Sequence, residues 1–322
     1  MALASSLVPS RFFAERYASA ALKVATRLGH ESTTARVREF LGMYLMGEGR
    51  WEKTAENFEQ AIAGFQLVGD RRREIECTCL LSTWNHYRGD FTKRVILGQR
   101  VFDLGCATGD LQAQAWGMLD QIESLLNLGD FERVRSLGND LKQHLGQNIY
   151  GADEIMAYGL LAALELRIGR LAEALPHAEK ALAVMNKVTP TIVYNLESYA
   201  AVAGRVSERA GAFRRKAIPR ARISWQKPAR PVPARGGSRR SSASAMPRAL
   251  LLTGVEHELA GDMTQAVRLS REGLAAALQL EMPYEEALAH RQLARLLPDG
   301  DRHRDGELAP RSRALRQDGR EI

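Results

Sequence analysis

The sequence predicts an all-α chain, a stack of antiparallel helix-turn-helix units, on three observations. Gly49-Arg50-Trp51 returns as Gly89-Asp90-Phe91, Gly129-Asp130-Phe131 and Gly169-Arg170-Leu171, at a step of 40 residues each time. Looser copies follow at Gly211-Ala212-Phe213 and Gly261-Asp262-Met263. A helical period of apolar residues runs into each glycine, and a second starts at the bulky residue two places later. Positions keyed to the glycine stay small or mostly apolar. Twelve residues after it stand Ala61, Val101, Leu141, Ala181 and Gly273, and seven before it stand Gly42, Ser82, Ile122, Ala162, Gly204 and Gly254. Small residues at one recurring spot let two helices approach closely, so the pattern reads as a seam repeated along a stack.

In chain order, residues 9–29 read as the second helix of a unit, with Phe12, Phe13, Tyr17, Ala20, Ala21, Val24 and Leu28 as its apolar face and Gly29 as its stop. The first full pair runs from Thr33 to Val68, its second helix carrying Trp51, Ala55, Phe58, Ile62 and Phe65 at steps of four and three. Further pairs span Arg72 to Leu104, Leu111 to Leu145 and Ala152 to Val188, and one more first helix spans Val193 to Arg209. The segment 214–248 breaks the pattern, with five prolines, five serines, eleven Lys or Arg and no acid. No stacked helix tolerates that composition. It marks either a disordered basic insertion or a shift of reading frame. Helical periodicity resumes at Ala249 and runs to Leu280, and another helix follows from Glu285 to Leu297. The expected organisation is thus helical repeats over 1–213, the basic insertion 214–248, a further repeat over 249–298 and a frayed tail over 299–322.

On these residues the units resemble tetratricopeptide-type helical repeats lengthened to about 40 residues. Leu41-Gly42, Gly49, Trp51, Phe58 and Ala61 stand where that family has its Leu-Gly, Gly, aromatic, Phe and Ala, whereas Asn85, Arg94 and Gln121 stand where it prefers apolar or small residues. The resemblance implies a right-handed superhelical solenoid. The phrasing of GRWEKTAENFEQAIAGFQLVGDRRRE, NLGDFERVRSL, GRLAEALPHAEKAL and LEMPYEEALAHRQLARLL is similar to the C-terminal repeat region of large bacterial signalling proteins. Those proteins join an adenylate or guanylate cyclase or a protein kinase domain, with an ATPase module, to such repeats, and large ATP-dependent transcription regulators carry repeats of the same kind. What this implies is a non-enzymatic sensory or scaffolding segment that holds a protein or peptide partner. No cyclase or ATPase signature stands in this chain, so no such activity is carried over.

Composition narrows the function classes. Outside 214–248 the chain has 34 basic and 38 acidic residues, so the net charge of +7 belongs to that one segment. Nucleic acid or another anionic surface is the partner such a segment would take, with Trp225 placed to stack on a base. Three cysteines make no disulfide framework and no Asn-x-Ser/Thr site occurs, which points to a cytoplasmic setting. No phosphate-cradling G-x-x-x-x-G-K-[ST] is present. Cys77 and Cys79 diverge by about 200° on a helix and make a poor chelate. The seven histidines are scattered, and no catalytic set, metal site or cofactor site can be assembled. The candidate site is instead the groove lined by first helices, where the repeat register places Arg36, Glu39, Met43, Glu76, Thr83, Trp116, Leu119, Glu123 and Met156.

Overall fold

The computed structural model describes residues 11–147, 149–185, 187 and 243–297. The described elements are all helical: α1 (Arg11–Arg27), α2 (Glu31–Gly47), α3 (Trp51–Val68), α4 (Arg71–Tyr87), α5 (Phe91–Thr108), α6 (Leu111–Leu128), α7 (Phe131–His144), α8 (Gly151–Arg167) and α9 (Leu171–Met185). A 3₁₀ turn (Ala243–Ala245) then leads into α10 (Met246–Leu259), α11 (Met263–Gln279) and α12 (Pro283–Leu296). The pairs α2–α3, α4–α5, α6–α7 and α8–α9 are the expected 40-residue units.

The turns show a finer period than the 40-residue one. Gly69, between two pairs, takes φ +72°, the same value as Gly49 and Gly89 within pairs. There the Asp70 N–H donates to the Phe65 carbonyl at 2.9 Å, closing the helix end with a left-handed residue that a side chain would strain. Asp70 then caps α4 by accepting from the Arg73 N–H, and Asp90, Asp110, Asp130 and Asp262 do the same for their helices. One turn design therefore serves both kinds of corner, every 20 residues from Gly29 to Gly129.

Packing follows the keyed positions. Ala61, Val101, Leu141 and Ala181 are all fully buried, and so are Ser82, Ile122 and Ala162. A Cβ on Gly42 would lie 2.6 Å from the Phe58 ring, and one on Gly117 would lie 2.5 Å from the Gly98 carbonyl oxygen. Those glycines set how closely α2 meets α3 and α5 meets α6. First helices of successive pairs also pack on one another, α2 on α4, α4 on α6 and α6 on α8, which makes them the inner layer of the stack.

Three readings are revised. α1 buries Ala18 and Ala25, while Tyr17, Val24 and Leu28 face outward, because contact with α2 is made through the small residues. Residues 243–248, inside the segment taken as irregular, are helical, since Pro247 occupies the first turn of α10, where its missing N–H costs nothing. The remainder of that segment, 214–242, lies outside the described residues, as do the expected helix Val193–Arg209 and the tail from 298. The unit α10–α12 also does more than resume the repeat: the 3₁₀ turn packs on α2 and α12 packs on α4. Among the described residues no helix is long and apolar enough to cross a membrane.

Candidate partner-binding surface

The residues singled out on the first helices fall into three slots that recur with the repeat. Arg36, Glu76, Trp116 and Met156 share one slot, 40 residues apart, and all four are partly exposed. One turn further along, Glu39 and Leu119 are buried, and one turn beyond that Met43 packs on the first core cluster while Glu123 is 2% exposed. Thr83 is partly exposed and donates to the Cys79 carbonyl at 3.0 Å. The structure thus divides the expected groove residues into an open row and a covered one.

Glu76 and Trp116 of the open row are joined by neighbouring side chains into a ribbon that starts at the buried Glu39 and crosses four helices. Arg73 Nη1 lies 3.7 Å from Glu39 Oε1 on α2 and 2.9 Å from Glu76 Oε2. Arg72 Nε lies 2.8 Å from Glu76 Oε1, and its guanidinium also pairs with Asp110 and sits 5.3 Å over the Trp116 ring. Trp116 Nε1 donates to Asp153 Oδ2 on α8 at 3.1 Å, and Gln112 Nε2 donates to the same oxygen at 2.7 Å. Tyr150, largely exposed, leans its ring on Trp116 with centroids 6.3 Å apart. Arg36 lies over Phe40 on its own helix, and Met156 packs on the second core cluster.

Electrostatics at the two ends of the ribbon run the same way. Burial pushes the Asp153 carboxyl up to about 6, against the hydrogen bonds from Trp116 and Gln112. Burial likewise raises Glu39, opposed by Arg73. Near neutral pH the ribbon offers cations, an aromatic face and, in Asp153, a carboxyl group close to taking up a proton. Burial also raises the thiols of Cys77 and Cys79, which makes them poor nucleophiles and metal ligands. No group of three or more His, Cys, Asp or Glu suited to a metal ion occurs among the described residues.

A buried charge network is centred on Arg94, one of the residues that depart from the repeat pattern. Arg94 on α5 donates to Glu123 Oε2 at 2.5 Å and to Asp120 Oδ1 at 2.7 Å, and its Nη1 lies 2.8 Å from His86 Nδ1. Burial works against the Arg94 charge, but the two carboxylates outweigh it and hold the guanidinium protonated. Asn85 and Gln121, also buried, donate to the Leu81 and Gly117 carbonyls of their own helices.

Sequence reading passed over Arg72, Arg73, Tyr150 and Asp153. The signal for Arg72 was present, since it precedes Glu76 by four residues on a helix. Asp153 has only a long-range one: Met156 is the repeat equivalent of Trp116, and Asp153 stands one turn before it.

No protein-family model matches this chain, and no curated protein does. Among solved structures the chain is similar to a Rap protein crystallised in complex with competence and sporulation factor, with a TM-score of 0.52 and 14% identity over 83% of this chain and 74% of that one. The likeness is one of fold. It establishes an all-α stack of repeats and carries no residue of that complex onto this chain.

Proposed function

We propose that this chain is a non-enzymatic interaction scaffold whose inner face binds a protein or peptide partner, within a bacterial signalling protein of the kind its repeats resemble. The single observation that carries the reading is the ribbon from Glu39 through Arg73, Glu76, Arg72 and Trp116 to Asp153. Between the buried ends Glu39 and Asp153 the Arg72, Arg73, Glu76 and Asp110 charges are partly exposed, and ion pairs at the surface contribute little to stability, typically about 0.2–1 kcal/mol, so stability is a weak reason for this row. What such a row does supply is pre-oriented charge around an aromatic anchor, the composition enriched at binding hot spots. The Rap protein of similar fold was crystallised with competence and sporulation factor on board, which is in keeping with a ligand-holding role for this architecture.

The test is affinity capture from extracts of the source cell with tagged wild-type chain, with Arg72→Ala and Trp116→Phe together, and with a chain lacking 214–242. A partner held by the wild type and the deletion but lost from the double variant supports the ribbon. Loss with the deletion alone moves the function to nucleic acid or an anionic surface through the basic segment, and overturns the reading.

A further inference from the structure

The corner Leu280–Glu285, between α11 and α12, is seated on the C-terminal ends of the inner helices, at the opposite end from the ribbon. Trp51 Nε1 donates to the Leu280 carbonyl at 2.5 Å, across 229 residues of sequence. Arg88 Nη1 donates to the Glu281 carbonyl at 2.5 Å and lies 3.5 Å from the Glu281 carboxylate. Met282 is fully buried in the cluster that holds Met46, Trp51 and Tyr87. The Tyr284 ring stands edge-on to His86 and Phe91, with centroids 4.9 and 5.2 Å away, and its hydroxyl lies 3.5 Å from Asn127 Oδ1.

The glycines of the two turns beneath it leave room for the corner. A Cβ on Gly49 would lie 2.8 Å from Leu280 Cδ2, and one on Gly89 would lie 3.3 Å from Pro283 Cγ.

Three features make this contact that of a ligand on a receptor. Side-chain donors clamp main-chain carbonyls while pockets take alternate side chains, which is how proteins hold extended or cornered peptides. Glu281 has φ +50°, the one non-glycine residue in the left-handed region among the described residues, a strain the surrounding contacts must sustain. Apart from the exposed Arg88–Glu281 pair, the buried ions Glu285 and Arg94 are each paired within their own side. Glu285 is held bidentately by Arg248 of its own unit, at 2.8 Å for both bonds, and Arg94 is held by Asp120 and Glu123 within the repeats. Separation would strand no buried ion. Docking, by contrast, adds the Glu123 charge to the burial that already raises Glu285 against Arg248.

We propose that Trp51, His86, Arg88, Phe91 and Asn127 form a second binding site, for a short segment of a partner protein with the pattern aliphatic, any residue, Met, Pro, aromatic, and that Leu280–Tyr284 occupies it in cis. Partner binding and release of α10–α12 are then one event. An occupied site weakens apparent affinity in proportion to the fraction left open.

The experiment uses the full chain carrying Gly89→Cys and Pro283→Cys in a Cys106→Ser background. The Gly89 Cβ position lies 3.9 Å from Pro283 Cβ, within the span of a disulfide. A labelled synthetic peptide of residues 277–290 is titrated against the oxidised and reduced forms of the same preparation, with fluorescence anisotropy as the readout and circular dichroism as the check of fold. The locked form is expected to bind at least about tenfold more weakly than the reduced form. In the otherwise wild-type chain, Tyr284→Ala, which weakens only the cis occupant, is expected to tighten peptide binding several-fold. Adding Trp51→Phe should reverse that gain, whereas adding Arg72→Ala should leave it unchanged. Equal binding by locked and reduced forms would put the peptide at another site, and none by either with helicity intact would show a fixed structural cap; each result would overturn the proposal. So would a Tyr284→Ala chain that takes up no peptide and dimerises, since the occupant would then be a second copy.

Discussion

The residue five places after the turn glycine is Thr54 in the first pair, Arg94 in the second, Val134 in the third, Ala174 in the fourth and Ala266 in the C-terminal unit. All five are buried, none more than 4% exposed. Four of these side chains are small, and one is the largest cation available. Geometry of the stack fixes that the slot is covered, and the neighbouring pair decides what chemistry can fill it. Arg94 is tolerated because α6 presents Asp120 and Glu123 to it. Thr54 needs only the Arg50 carbonyl of its own helix, 2.9 Å away. At this slot the second and third pairs are thus joined by a buried charge network, whereas the other copies fill it with a small uncharged side chain.

The largest effect should come from breaking that one copy. Arg94→Ala leaves two buried carboxylates without their cation and is expected to lower stability by about 3–5 kcal/mol in a thermal or urea melt. Making the copy resemble its siblings sharpens the comparison. Arg94→Val with Asp120→Ala and Glu123→Leu should recover most of that loss, because replacing a buried ion group as a whole is often neutral or stabilising. A triple variant as unstable as Arg94→Ala would mean that the charge network does more than fill the slot.

A carboxyl at the edge of the ribbon behaves differently, and its signature is in pH. Asp153 titrates at about 6 in the folded chain, against about 3.9 when unfolded. Its folded pKa is raised, so its contribution is fully present below about pH 4 and is lost as pH rises through 6. Asp153→Asn is expected to flatten the stability profile across that window and to raise the melting temperature at pH 7. A profile unchanged from wild type would place the carboxyl in contact with water.

Corners should cost less. Gly69→Ala, which forces a side chain into the left-handed region, is expected to destabilise by about 1–2 kcal/mol. Asp130→Ala, which removes a cap at an exposed helix start, should cost about 1 kcal/mol. Both are read from the denaturation midpoint.

Much of the fold was legible because a repeat states its own rule several times. The 40-residue phase of the glycines, the bulky residues after them and the small positions keyed to them placed four pairs of helices. The finer 20-residue period was equally visible in Gly69-Asp70 and Gly109-Asp110, but a search stepped by 40 residues from Gly49-Arg50-Trp51 passes over both, even though Gly109-Asp110-Leu111 matches Gly169-Arg170-Leu171 in kind. The site was legible only in part. Register alone places Arg36, Glu76, Trp116 and Met156 on one open row. How deep Leu119 and Glu123 lie depends on neighbouring helices and on α12, whose return to the first pairs no local pattern encodes. Arg94 illustrates the remaining limit. It looks like a degenerate repeat until Asp120 and Glu123, more than 25 residues away, are seen beside it.

The most direct measurement of where the partner sits is photo-cross-linking in the source cell, with a photoreactive amino acid placed at Thr83 or Met156 on the inner layer, or at Gln99 or Asp103 on the exposed side of α5. A partner trapped from positions 83 and 156 and not from 99 and 103 is the result expected of an inner-face scaffold. The same partner trapped from 99 and 103 alone would place binding on the outer helices and contradict it.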